Sequence, residues 1–266
     1  MGTGALLILL GLVAAPVAAA SAAEPSPICP DRPSKATGAC TVPAGRWQIE
    51  TGLVDWAHDR SDGVRSDLVA LGSTLLKYGV GGNADLELGF TPYEISRVRA
   101  GSERERDSGF GDMVARLKYR LTREDADFQL ALDPFVKIPT AGHNLGNGKV
   151  EGGVVVPMSM PVAKSGLTLS LGPELDLLAD ADGQGRHAAM VQVLNLGVPL
   201  SDKLSVSGEL WGAWDWDPAG TSHQVSADGS IAWLVNRDLQ LDAGANAGLN
   251  RNTPDLELYA GVSTRF

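Results

Sequence analysis

Glu87, Asp112, Arg116, Lys118, Asp133, Lys137, Glu174, Asp176, Glu209, Asp242 and Glu257 lie within stretches of strand length. Each sits on the parity opposite a run of apolar residues, so each shares a face with other polar side chains. Charges spaced in this way suit two kinds of chemistry. They can pair across neighbouring strands and brace a narrow interior, or line a polar path whose field selects solutes. Arg116 and Lys118 share one strand face, and Asp133 and Lys137 share a face on the next strand. The expectation is that Asp133 pairs with a basic neighbour and leaves a positive strip opposite Glu174 and Asp176. Phe135, Trp211 and Tyr259 have the same inward parity and would add ring surfaces to such an interior.

Other constellations carry less chemistry. His58, His143, His187 and His223 fall in or beside polar connections, and no Gly-x-Ser-x-Gly elbow accompanies them, so a hydrolase is not expected. Asp180-Ala181-Asp182-Gly183 begins like a calcium loop, but the order of ligands is wrong and Val191 stands where a distal Glu is needed; a turn is expected. Gly146-Asn147-Gly148-Lys149 fails as a phosphate loop because Val150 follows the lysine. No metal or cofactor is expected. Cys29 and Cys40 lie close together in a Pro-rich segment without CxxC spacing, which favours a local disulfide in an oxidising compartment. A lipid-modified Cys29 is the alternative, disfavoured because Ile28 precedes it.

The elements that must position these residues are strands. The last stretch reads PDLELYAGVSTRF, with Leu256, Leu258, Ala260, Val262 and Phe266 on one parity and Glu257, Tyr259, Gly261, Ser263 and Arg265 on the other. Similar segments cover 46–56, 66–79, 84–93, 109–121, 127–139, 151–163, 166–178, 187–200, 203–216, 222–235, 238–250 and 255–266, an expectation of about twelve strands. Connections after even-numbered strands are mostly short and those after odd-numbered ones mostly long and polar. Trp47, Tyr78, Tyr119, Phe128, Trp233 and Phe266 gather at the short-turn ends, and Trp56, Phe90, Tyr93, Phe110, Trp214 and Trp216 at the others. An even strand count, loops sorted by parity and aromatic girdles define a single antiparallel transmembrane β-barrel. Pro134, Pro157 and Pro173 fall inside strands and require local irregularity.

The 266 residues contain an apolar stretch, Ala5 to Ala23, ending in small residues, which reads as a signal peptide over 1–23 despite lacking an amino-terminal Lys or Arg. A short irregular periplasmic segment, 24–45, then precedes the barrel at 46–266. No later run is long and apolar enough for a membrane helix. The net charge of −10 argues against nucleic acid, and against an anionic surface, as partner.

Leu75-Leu76-Lys77-Tyr78-Gly79 with Leu86-Glu87-Leu88-Gly89, then Gly109-Phe110-Gly111-Asp112 with Leu117-Lys118-Tyr119-Arg120, carry a family resemblance. Asp133 to Thr140, Pro173-Glu174-Leu175-Asp176, Leu241-Asp242-Ala243-Gly244 and the final Arg265-Phe266 continue it. In order and spacing these resemble the outer-membrane barrel transporters grouped as meta-pathway phenol-degradation proteins. The resemblance implies an outer-membrane location of Gram-negative type and passage of small, including aromatic, solutes. A non-conducting binding or scaffold barrel is the alternative. Phe266 resembles the terminal aromatic by which barrel-assembly machinery recognises its substrates. Expected partners are thus that machinery, outer-membrane lipid and a small-molecule solute.

Overall fold

Alternation of apolar and polar side chains leaves two faces that cannot both meet water, and closing the sheet on itself resolves this. In a computed structural model describing residues 26–142, 144–162 and 164–266, every strand pairs antiparallel with its neighbours. The expected signal peptide and His143 lie outside the described residues. The segments are β1 (Trp47–Ser61), β2 (Val64–Val80), β3 (Ala84–Phe90), β4 (Tyr93–Ala100), β5 (Glu103–Gly109), β6 (Met113–Arg120), β7 (Gln129–Ile138) and β8 (Glu151–Val155). They continue with β9 (Met158–Pro161), β10 (Thr168–Leu171), β11 (Glu174–Ala179), β12 (Arg186–Pro199), β13 (Leu204–Asp215), β14 (Ser222–Asn236), β15 (Leu239–Gly248) and β16 (Leu256–Arg265). β3 and β4, β5 and β6, β8 and β9, and β10 and β11 are halves of interrupted strands, so twelve strands form the wall. β1 pairs with both β2 and β16, and the barrel is closed.

The polarity is inverted relative to a soluble core. Leu53, Leu86, Leu117, Leu175, Leu177, Leu210, Leu241 and Leu258 are exposed, whereas Gln48, Glu50, Lys77, Glu87, Lys118, Asp133, Glu209 and Asp242 are buried. Such a barrel is stable where lipid covers the outside. Exposed Trp47, Tyr119, Phe128, Trp233 and Phe266 ring the short-turn end, and exposed Tyr93, Phe110 and Trp216 the other.

The prolines find distinct solutions. Pairing of β6 with β7 holds at Arg116↔Phe135 and resumes at Tyr119↔Leu132; the gap falls at Pro134, which has no N–H to donate. Pro157 separates β8 from β9, and Pro173 separates β10 from β11. These breaks adjoin, so Val156 donates to the Pro173 carbonyl across them (2.8 Å).

Two bulges explain why alternation is blurred early in the chain. Register shifts between Gly52 and Val54 in β1, and β2 compensates at Gly72, with φ of 72°. Each side chain beyond them changes face. The expected ends of the first strands also need correction. Stretches 57–65 and 94–108, read as loops, continue as paired β1, β2, β4 and β5. Both faces there carry charge, so no apolar period marked them.

Candidate functional site: a filled lumen

One short segment touches the wall in several separate sectors. Asp31 reaches Lys77 on β2 and Lys118 on β6, Arg32 reaches Asp242 on β15, Ser34 reaches Glu209 on β13, and Lys35 reaches Asp228 on β14. A stretch this short meets strands from so many sectors of a closed ring only from inside. The expectation of a periplasmic segment over 24–45 is therefore corrected for the described residues: 26–45 enters the lumen from the short-turn end. Its entry is fixed by Ile28 N–H donating to the Arg237 carbonyl (2.7 Å) and the Arg265 guanidinium donating to the Ser26 carbonyl (2.8 Å).

The physical cause is the charge that alternation turned inward. Carboxylates and ammonium groups removed from water need partners, and the wall alone does not supply them all. Lys77 Nζ lies 2.5 Å from Asp31, 2.7 Å from Glu50 and 3.7 Å from Glu87. Lys118 Nζ lies 2.9 Å from Asp31 and 3.2 Å from Glu87. Burial by itself pushes the Asp31 carboxyl up, but the two ammonium groups more than reverse this and hold it well below the usual carboxylate range. Glu50 also accepts the backbone N–H groups of Asp31 (2.9 Å) and Arg32 (3.1 Å).

The other side of the segment is held similarly. Arg32 bonds Asp242 (2.8 Å) and lies over the Tyr259 ring. Ser34 donates to Glu209, which also accepts from Lys35 N–H (3.1 Å) and Asn195 (3.1 Å). Lys35 Nζ stands 3.3 Å from Asp228 and 4.0 Å from Glu257, and 4.6 Å from the centre of the Trp211 ring. Cys29 and Cys40 are bonded and close the loop that carries these residues. A Cβ on Gly79 would meet the Pro43 and Val42 carbonyls at 2.2 and 2.4 Å, so only glycine admits the segment there.

Away from the segment, the remaining sequence-derived residues form local pairs. Arg116 bonds Asp133 (3.3 Å) and lies over Phe135. Lys137 lies between Asp112 (3.4 Å) and Glu151 (2.6 Å). Glu257 accepts from Asn246 (2.6 Å). The expected opposed strips are not present. Glu174 and Asp176 lie on β11, joined through β8 and β7 to the β6 of Arg116, so they share its side of the wall. Lys118 is fully buried and occupied by Asp31 and Glu87.

Sequence reasoning missed Asp31, Arg32, Ser34 and Lys35, and on the wall Glu50, Lys77, Asn195 and Asp228. The bulges hid the parity of Glu50 and Lys77. For the segment the available signal was the density of charge between two cysteines.

Space remains around the filling. A cavity of about 650 Å³ opens at the short-turn end between the segment and a hydroxyl-rich wall of Ser159, Thr168, Ser170, Ser205 and Ser207. A smaller one of about 200 Å³ lies on the other side of Lys35, beside Trp211, Asn246 and Glu257.

Solved structures share this architecture. An outer membrane channel from Pseudomonas putida F1 superposes with a TM-score of 0.67 at 15% identity, covering 88% of this chain and 99% of that one. The translocator domain of the autotransporter NalP from Neisseria meningitidis gives 0.52 at 14% identity, with 85% and 90% covered. The NanC porin gives 0.51 at 9% identity, with 82% and 98% covered. At these identities the likeness is one of fold. No curated protein matches the sequence. The family model described as "Putative MetA-pathway of phenol degradation" matches residues 30–266, lumenal segment and barrel together, and the chain belongs to that family.

Proposed function

We propose that the protein is an outer-membrane channel for small solutes, gated by what fills its own lumen. The supporting observation is a closed barrel with a polar interior in which residues 26–45 are held mainly by ion pairs and hydrogen bonds, with cavities on both sides. Polar contacts exchange readily with water once solvent enters, whereas an apolar plug would be fixed by burial. Solute then passes where the segment yields, and among the described residues Ser159, Thr168, Ser170, Ser205 and Ser207 of the hydroxyl-rich wall make no ion pair with the segment. The family's name points to aromatic solutes, and the Trp211 ring beside Lys35 gives such a solute, particularly a phenolate or aromatic acid, a surface and a counter-charge. The chain is read as non-enzymatic, exported by its leader and inserted by the barrel-assembly machinery.

Planar-bilayer recording tests this. Wild type should show small, intermittent conductance, and Arg32→Gln with Lys35→Gln should raise the open fraction severalfold. Anion preference should fall in the same variant, since two cations leave the path. A barrel that remains silent in both forms, while folded by its gel shift on boiling, would instead be the non-conducting scaffold.

A further inference from the structure

Six arginines share one face of the sheet that rises beyond the barrel rim. Register places Arg60 opposite Arg65, Arg65 opposite Arg99, and Arg99 opposite Arg104, one row across β1, β2, β4 and β5. The adjacent row pairs Asp67 with Arg97 and Arg97 with Arg106. Directly paired residues lie on the same face of a sheet, and so do residues two apart.

That face is the outside of the barrel. On β1, His58 pairs with Leu256 and Trp56 with the lipid-facing Leu258; Arg60 follows on the same parity. On β4, Arg97 and Arg99 follow Tyr93 on its parity, and Tyr93 belongs to the exposed girdle. At about 3.4 Å per residue in a strand tilted by roughly 45°, Arg97 stands about 10 Å beyond that ring. This is the level of lipid headgroups on the long-loop side of the membrane.

Acidic residues of the same strands turn the other way. Asp59, Glu94, Glu103, Glu105 and Asp107 alternate with the arginines and occupy the inward parity. Asp67 alone shares the outward face, and it is already engaged by Trp56 (3.2 Å), His58 (3.0 Å) and Arg65 (3.4 Å). All six arginines are exposed, and among the described residues only Arg65 of the six forms an ion pair.

Like charges directly opposite one another destabilise a sheet, and here they recur through three successive strand pairs. The arrangement is favourable when an anion lies across the row. Arginine forks bind phosphate oxygens bidentately, and their charge outlasts any physiological pH. We propose that this face binds the phosphate groups of lipid headgroups in the outer leaflet, seating the barrel in phosphorylated lipid. The net charge of −10 argued against an anionic surface as partner, but it averages over faces that the strands keep apart. Lipid binding on this outer face does not depend on solute passage through the lumen.

Native mass spectrometry of the full barrel in detergent provides the test, with bisphosphorylated lipid A, its dephosphorylated form and inorganic phosphate as separate probes. Wild type should retain bisphosphorylated lipid A at least about tenfold more tightly than the dephosphorylated form, the scale of losing one charge-assisted contact. Arg97→Gln with Arg99→Gln and Arg104→Gln should abolish that preference, while the corresponding lysine variant keeps part of it. The gel shift on boiling confirms that each variant is folded. Equal retention of both lipids by wild type, or an unchanged preference in the glutamine variant, would overturn the proposal. Displacement of the lipid by millimolar inorganic phosphate would overturn it too, in favour of a free-anion site.

Discussion

Lys77 and Lys118 show how much depends on single atoms in this lumen. Each ammonium group is surrounded by carboxylates, and Asp31 is common to both. Removing one member of a buried ion cluster leaves the others uncompensated, typically at about 3–5 kcal/mol. Lys118→Met should therefore lower the temperature at which the gel shift is lost, and Lys118→Met with Glu87→Leu should recover part of the loss. If the double change is worse than the single one, the cluster is not paired as described. Asp31 makes a pH prediction with a defined sign. The Lys77 and Lys118 ammonium groups hold its carboxyl well below the ordinary aspartate range, so its contribution is fully present above that range and fades only as pH falls beneath it. Mild acid should leave this anchor intact, and open fraction measured from pH 8 to pH 5 should not rise through Asp31. Asp31→Asn should raise it across that whole range.

At the scale of elements, the lumenal segment depends on its disulfide and on the strand that makes room for it. Opening the loop between Cys29 and Cys40 returns conformational freedom worth about 2–3 kcal/mol to the detached segment. Cys29→Ser with Cys40→Ser should lengthen channel openings while the barrel's own thermal stability changes little. Gly79→Val should act in the same direction for a different reason, since a side chain there collides with the Pro43 and Val42 carbonyls. Shorter openings in either variant would contradict a segment that must move. Phe266 belongs to the closing element: its backbone exchanges hydrogen bonds with Trp47 (3.0 Å each) and its ring is exposed. Deleting it should reduce the yield of folded barrel in membranes without reducing synthesis, and unchanged yield would leave it only a girdle role.

For the whole molecule, the asymmetry between its two ends sets an orientation. β1 and β2 run to 15 and 17 residues, beyond the roughly 9–11 needed to cross, and the excess lies on the long-loop side. Single cysteines at Ser102, between β4 and β5, and at Ser201, between β12 and β13, report the two ends. Placed in a chain freed of Cys29 and Cys40, the first should react with an impermeant maleimide on intact cells and the second only after lysis. Equal labelling would place the long strands on the wrong side.

What the sequence alone determined was whatever depends on period. A face that is apolar at every second residue must meet lipid or a core, and twelve such segments with sorted connections admit a closed barrel. Period alone turns Glu87, Lys118, Asp133, Glu209 and Asp242 to the face opposite the apolar one, and all five are buried. Tertiary structure decided what period cannot carry. Bulges at Leu53 and Gly72 reverse parity without a compositional mark, so Glu50 and Lys77 went unseen. The upper halves of β1, β2, β4 and β5 are charged on both faces, and only register shows that arginine and carboxylate separate there. Residues 26–45 have no period at all. Their place in the lumen follows from charges around a closed wall that burial leaves in need of partners, a condition that exists only once the barrel has closed.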